Sequence, residues 1–114
     1  MLWYIQFKCV QWLQTAHMPI IIHPEIVEKL KTLHSVSERE VHQCFDNMER
    51  EAILDKREKH KTNPPTQWLI SQTNKSRELK VVFMQFGADI IVKSAFEPIP
   101  EERRIYFKYA PLLS

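Results

Sequence analysis

Hydrophobic residues first recur at helical spacing just after Pro24. The apolar positions fall at i, i+1, i+4 and i+7, which places them along one face of a helix of two to three turns. Because proline is favoured in the first turn of a helix, Pro24 marks its start. The apolar run at residues 19–22 predicts a short first strand that leads into this helix. The apolar positions of the helix are Ile26, Val27, Leu30 and Leu33.

A second helix has a well-marked start. Ser37 and Glu40 have the spacing of the S-x-x-E capping box, in which each side chain binds the backbone amide of the other residue. Val36 and Val41 stand at the two positions of a hydrophobic staple, which is an apolar contact across the helix start. The pattern therefore predicts a helix that begins after Ser37. Its buried face is Val41, Cys44, Phe45 and Met48.

From Gln67 onward the apolar residues follow the spacing of strands. Residues 68–70 and 79–86 flank a turn-forming sequence at 73–76, which predicts a hairpin. Gly87, the only glycine, opens a second turn, and residues 90–92 begin another strand. Three successive strands should therefore meander antiparallel, and residues 52–54 are a candidate fourth strand. Pro100 opens a last helix.

These elements predict one α+β domain, with N-terminal helices, a three- to four-stranded antiparallel sheet and a C-terminal helix. A chain of 114 residues with 44% hydrophobic content suffices for one core and is too short for two. We place the domain at residues 18–114. The leader at residues 1–17 is too apolar to stand alone in water. It either packs on the sheet, makes a homodimer contact, or is translated from an upstream start codon and has no role.

Composition and motifs argue against several classes of protein. The leader lacks the features of a signal peptide, and no later apolar run approaches the roughly 20 residues that cross a bilayer, so we expect a cytoplasmic protein with no membrane contact. Cys9 and Cys44 lack C-x-x-C spacing and are predicted to be plain thiols. His34 and His42 are eight apart and cannot jointly bind a metal without other ligands. Nucleotide-binding and hydrolase motifs are missing, so we predict no metal and no cofactor.

Charge is distributed unevenly along the chain, although the net charge is only +2. Residues 18–51 contain seven acidic and four basic residues, whereas residues 55–81 contain three acidic and seven basic ones. Phosphate neutralisation would draw a polyanion such as RNA to the second segment. The alternative is a solvated loop. The predicted RNA-binding cations of this loop are Lys56, Arg57, Lys59 and Lys61.

Two side chains near this loop are candidates for chemistry or RNA recognition. His60 lies between two lysines, which would lower the pKa of its imidazole and keep it available as a neutral catalytic base. Otherwise it is an ordinary loop histidine. Trp68 could stack on a base of single-stranded RNA, and the alternative is that it belongs to the core.

Three cations within the apolar strands are candidates for phosphate binding. Arg77 shares a strand face with Leu79, and Lys80 points to the other face. Lys93 lies on the following strand. If these cations meet on one open face, they could stabilise a pentacovalent phosphate transition state. On this basis we predict that all three are catalytic. The alternative is that they line the solvated side of the sheet.

Three local patterns resemble the BrnT-type toxins of the RelE-like ribonuclease group, which bacteria and archaea make beside a neutralising antitoxin. Residues 34–45, which contain H-S-V-S-x-x-E-V and a phenylalanine, are similar to the family's H-G-V-S-x-x-E-A-x-x-V-F, with Ser35 in place of glycine. Residues 77–81 are similar to its R-x-L-x-V strand. The third pattern, similar to the family's S-A-R-x-A-x-x-x-E-R-x-x-Y ending, comprises Ser94, Ala95, Glu102, Arg103 and Tyr106.

The resemblance covers roughly residues 18–109 and implies a RelE/BrnT-like fold. It also implies metal-independent endoribonuclease activity by attack of a 2′-hydroxyl, and a cognate antitoxin protein as partner. Arg103 and Tyr106 of the third pattern are predicted to contact RNA. The chain departs from the family at Lys93 and Phe96, where arginines are common. The competing hypothesis is a non-catalytic module that binds a small partner protein through its sheet or its leader.

Overall fold

The computed structural model describes residues 19–55 and 62–113, which form three helices and five strands. The leader at residues 1–17 lies outside the described residues. None of the helices in the described ranges is long and apolar enough to cross a membrane. The helices are α1 Pro24–His34, α2 Glu38–Asp46 and α3 Pro100–Tyr109. The strands are β1 Ile20–Ile21, β2 Ile53–Leu54, β3 Thr66–Gln72, β4 Glu78–Phe86 and β5 Asp89–Phe96.

The α+β class and the antiparallel meander of β3, β4 and β5 are confirmed. The sheet is larger than predicted, because it has five strands in the order β1-β5-β4-β3-β2 and is mixed. Its parallel pair joins Ile20 and Ile21 of β1 to Ile90 and Ile91 of β5. Parallel neighbours need a long connection, and here most of the domain lies between the two strands. The sequence pattern of a two-residue strand carries no information about so distant a partner.

Helices cover both faces of the sheet. On one face, α1 packs on β5 and α2 packs on β3 and β4. Phe45 of α2 meets Phe83 of β4 edge to face, with ring centroids 5.5 Å apart. On the other face α3 packs on β3, where Tyr106 contacts Trp68. Alternate residues of β3 and β4 therefore pack against helices on opposite faces of the sheet.

The predicted start of α2 is confirmed. The Glu40 amide donates to Ser37 Oγ at 3.1 Å, and the Ser37 amide donates to Glu40 Oε1 at 3.0 Å, which completes the capping box. Val36 and Val41 are both buried. Cys44 is a free thiol in the core, and burial raises its pKa to about 12, so the thiol stays protonated and unreactive at neutral pH.

The turn between α1 and α2 depends on an unusual backbone conformation at Ser35. Its φ of 54° lies in the left-handed region, and the following Val36 amide donates back to the Leu30 carbonyl at 3.1 Å. Glycine adopts this conformation without steric cost, whereas a serine is strained there. Ser35 therefore lies at a position that favours glycine, which is the residue that the resembled family carries.

We predict that Ser35→Gly raises the free energy of unfolding by about 0.5–1 kcal/mol, because it relieves left-handed strain at the end of α1. The matched control, Ser37→Ala, should lower it by about 1 kcal/mol through loss of the helix cap. Urea denaturation followed by circular dichroism measures both changes. A less stable Ser35→Gly variant would contradict this account of the turn.

Candidate functional site

Arg77 lies just before β4 and joins three parts of the chain. Its Nη1 donates to the Ser35 carbonyl at 2.7 Å and to both carboxylate oxygens of Glu40 at 3.2 Å. Its Nη2 donates to the His34 carbonyl at 3.2 Å, and its Nε donates to Glu97 at 3.0 Å. The guanidinium thus holds the end of α1, the start of α2 and the residue after β5. All three of its nitrogens are engaged inside the domain.

The charges around Arg77 reinforce this contact. Partial burial raises the pKa of the Glu40 carboxyl, but hydrogen bonds from Ser37 and Arg77 outweigh that effect, so the pKa lies below its ordinary value. Partial burial lowers the pKa of Arg77, but hydrogen bonds to Glu97 and Glu40 outweigh it and raise the pKa. Both groups are therefore charged at neutral pH, and the pair stabilises the fold.

We predict that Arg77→Lys lowers the free energy of unfolding by about 2–3 kcal/mol, since one ammonium group cannot span acceptors that a planar guanidinium reaches together. The matched control is Lys93→Ala, which removes an exposed cation and should change stability by less than about 0.5 kcal/mol. Chemical denaturation measures both variants. Equal stability of Arg77→Lys and the wild type would refute the structural role.

We predict that Glu40→Gln destabilises the protein by about 1 kcal/mol at pH 7, because the amide keeps the helix cap but loses the charged contact with Arg77. The pKa of the Glu40 carboxyl has its ordinary value of 4.5 in the unfolded chain and lies below that value in the folded protein. Its stabilisation is therefore complete above pH 4.5 and is lost as the pH falls through the folded-state pKa. Denaturation of both proteins from pH 7 to pH 2 tests this. A pH-independent difference would contradict it.

Lys80 points to the opposite face of the sheet, as predicted, but its side chain is only 7% exposed. Its Nζ donates to Glu102 of α3 at 2.6 Å. The same nitrogen lies 4.5 Å from the Trp68 ring centroid and 5.5 Å from that of Phe96. A carboxylate and two aromatic faces thus replace the water that the ammonium group loses. Lys80 and Arg77 do not meet, because they lie on opposite faces.

Trp68 and Tyr106, both predicted to contact RNA, lie in the core beneath α3. Trp68 is 8% exposed and packs on Tyr106, with ring centroids 5.7 Å apart. The Tyr106 hydroxyl donates to the carbonyls of Arg50 and Glu51 at 3.1 and 3.0 Å. Burial raises the pKa of this phenol above its ordinary value. Both rings serve the packing of α3 on the sheet and present no stacking face to solvent.

Lys93 is the one predicted strand cation that is exposed. Val82 pairs with Ser94, and Phe83 pairs with Val92, so the register skips Lys93 at a β-bulge. Bulges redirect side chains and are frequent beside functional sites. The remaining predicted residues lie outside the described residues. They are Lys56, Arg57, Lys59, His60 and Lys61.

Arg103 is half-exposed on α3 and belongs to a cluster of cations and aromatic rings. Its guanidinium carbon lies 5.3 Å from the Phe107 ring centroid, and that of Arg50 lies 5.4 Å from the same centroid. Arg103 also forms an ion pair with Glu78, and Arg50 Nη1 donates to the Ala110 carbonyl at 2.7 Å. The outer side of α3 thus carries cations and aromatic rings, and Arg104 is paired there with Glu101. We call it the α3 surface; its residues are Arg103, Arg104, Phe107, Lys108 and Tyr109.

Sequence reasoning missed Phe107 and Arg50 as parts of this cluster. Arg103 and Phe107 are four residues apart, which is the spacing of neighbours on one helix face, so this pair could have been found. Arg50 could not have been found from the sequence, because it comes from the segment after α2 and not from α3. Its position follows from a bridge between Arg50 and Leu112, which returns the chain after α3 to that segment.

No protein-family model matches the sequence, and no curated protein is a significant match. Within residues 19–55 and 62–113, no group of three or more histidine, cysteine, aspartate or glutamate side chains is arranged to hold a metal ion.

Proposed function

We propose that the protein is an RNA-directed toxin of the RelE-like group, resembling the BrnT type, which acts in the cytoplasm as a metal-independent endoribonuclease and is neutralised by a cognate antitoxin. The observation that carries the RNA-binding part is the α3 surface. There Phe107 is 41% exposed and has two guanidinium groups beside its ring. Exposed aromatic rings among cations are what single-stranded RNA needs, since bases stack and phosphates are neutralised.

The proposed chemistry uses His60 and Lys93, of which Lys93 lies within the described residues and is exposed. The 2′-hydroxyl oxygen attacks the neighbouring phosphorus, and the bond to the 5′-oxygen breaks, which leaves a 2′,3′-cyclic phosphate and a 5′-hydroxyl. A base removes the proton of the 2′-hydroxyl, and a proton reaches the leaving 5′-oxygen. His60 is the candidate base, and Lys93 would stabilise the negative charge that develops on the phosphoryl oxygens. Arg77 and Lys80 support this chemistry only indirectly, because they hold α1, α2 and α3 on the sheet.

We predict that induction in a growing bacterium slows growth and lowers translation, and that the purified protein leaves cyclic phosphate ends on RNA without added metal. Lys93→Ala should reduce cleavage by roughly 100-fold, as expected for removal of one stabilising group. Lys31→Ala, which removes a cation from the exposed side of α1, is the matched control and should cleave normally. Growth and translation unchanged on induction, together with intact RNA, would exclude the ribonuclease.

A second candidate is a non-catalytic module that binds a small partner protein. The specific observation in its favour is that Arg77 and Lys80, two of the predicted catalytic cations, are already engaged in contacts inside the domain. Purification together with the product of the neighbouring gene separates the candidates. A stable complex, combined with no RNA cleavage by the free protein, would favour this module.

A further inference from the structure

An apolar surface crosses β1, β5 and β4 on the face of the sheet that carries α3. Ile21 of β1 pairs with Ile91 of β5, and Ile91 pairs with Met84 of β4. Paired residues of adjacent strands point to the same side of a sheet, and so do residues two apart along one strand. Val82 and Phe86 of β4 therefore lie on the same side. We call this surface the apolar face; its residues are Ile21, Val82, Met84, Phe86 and Ile91.

The three described helices lie elsewhere on the sheet. The side chains of α3 contact Glu78, Lys80 and Trp68, which are further along the same face. The other two helices belong to the opposite face, where α2 packs against Phe83. Phe86 is 49% exposed, and the other four residues of the apolar face are partly exposed. A sheet face of this composition is normally covered by another element.

One segment outside the described residues has the composition to cover it. Residues 56–61 are all polar or charged, and residue 114 is a single serine. The leader, residues 1–17, is different, because it is mostly apolar and contains no acidic residue. Apolar surface of this extent is unfavourable in water, so the leader needs a partner surface as much as the apolar face does. Its largest apolar side chains are Trp3, Tyr4, Ile5, Phe7, Trp12 and Leu13.

The chain enters the sheet beside the apolar face. The Ile90 amide donates to the Pro19 carbonyl at 2.9 Å, which fixes the end of the leader next to Ile91. Adjacent strands are about 4.8 Å apart, so the apolar face is roughly 10 Å wide from β1 to β4. A segment of 17 residues measures about 25 Å as a helix and more when extended. The leader can therefore cross the apolar face in either conformation.

Covalent attachment favours the leader over a separate chain. Because the leader and the apolar face belong to one molecule, the effective concentration of one at the other is on the order of millimolar. The leader of a second copy would compete only at a comparable concentration of protein. The tether thus selects the contact within one chain.

We propose that the leader docks on the apolar face of its own chain, with its apolar side chains against Met84, Phe86 and Ile91. This assigns the leader to packing on the sheet, in place of a homodimer contact or no role. The docking needs neither RNA nor catalysis, so it stands or falls separately from the proposed ribonuclease.

A nitroxide spin label on Cys9 tests the docking in the full chain. Cys9 is the only cysteine of the leader, and the buried Cys44 thiol does not take the label. The label broadens the methyl NMR signals of nearby residues, and its reduction by ascorbate gives the reference spectrum. We expect broad signals for Ile21, Met84 and Ile91. The signals of Leu112, which is 65% exposed and bridges to Arg50 at the far side of the sheet, should stay sharp.

Phe86→Lys and Met84→Lys each place a charge in the apolar face. Phe86 is already 49% exposed, so a lysine there leaves the core intact. An ammonium group resists burial under an apolar segment, so the broadening at Ile21 and Ile91 should be lost in both variants. The matched control is Leu112→Lys, which puts the same charge on another exposed apolar position and should keep the broadening. Thermal melting confirms that each variant is folded.

Dilution with an excess of unlabelled protein separates one chain from two. Broadening that persists is intramolecular and supports the proposal. Broadening that disappears assigns the apolar face to the leader of a second copy and overturns it. Sharp signals at Ile21, Met84 and Ile91, equal broadening at Leu112, or broadening retained in both lysine variants would also overturn it. Cleavage of RNA, whether present or absent, changes none of these results.

Discussion

The arrangement of the two N-terminal helices depends on the guanidinium group of Arg77. It binds the last carbonyls of α1, the carboxylate that caps α2, and the acidic residue after β5. Each of these parts is 20 or more residues from Arg77 in the sequence, and each presents an oxygen that a planar cation can reach. The turn at Ser35 and the capping box at Ser37 are therefore fixed to the sheet as well as to each other. Without this contact, the orientation of α1 and α2 would rest on apolar packing, which is less directional, and on the hydrogen bonds of Gln43 and Asn47 with residues 72–74.

The same principle applies on the other face of the sheet, where Lys80 joins β4 to α3 through Glu102. A buried ammonium group loses its hydration, and that loss is tolerated only where opposite charge and aromatic faces replace water. Arg77 and Lys80 thus lie on opposite faces of the sheet, and each attaches helices to strands. Groups bound in this way have few donors left for a ligand. Under the proposed function, contact with a polyanion would therefore fall to cations on the outside, such as Lys93 and those of the α3 surface.

The open edge of β3 at residues 70–72 is a consequence of the sheet topology. β2 is two residues long, so it covers only the beginning of β3. Exposed strand edges invite pairing with other chains, and proteins usually cover them. Here the Asn47 side chain donates to the Gln72 carbonyl and covers part of the edge of β3. Because a side chain covers this edge in place of a strand, a cavity remains beside residues 70–73.

The sequence alone determined the local elements of this protein, because capping boxes, apolar periodicity and turn residues act over a few neighbouring positions. The start of α2 at Ser37, the β3–β4–β5 meander and the beginning of α3 at Pro100 all follow from such signals. Tertiary structure decided the parallel pairing of β1 with β5 and the burial of Lys80, Trp68 and Tyr106. It also decided that Arg77 binds internal oxygens and that Arg50 meets Phe107. These results depend on which distant groups come together, and neither residue type nor spacing records that.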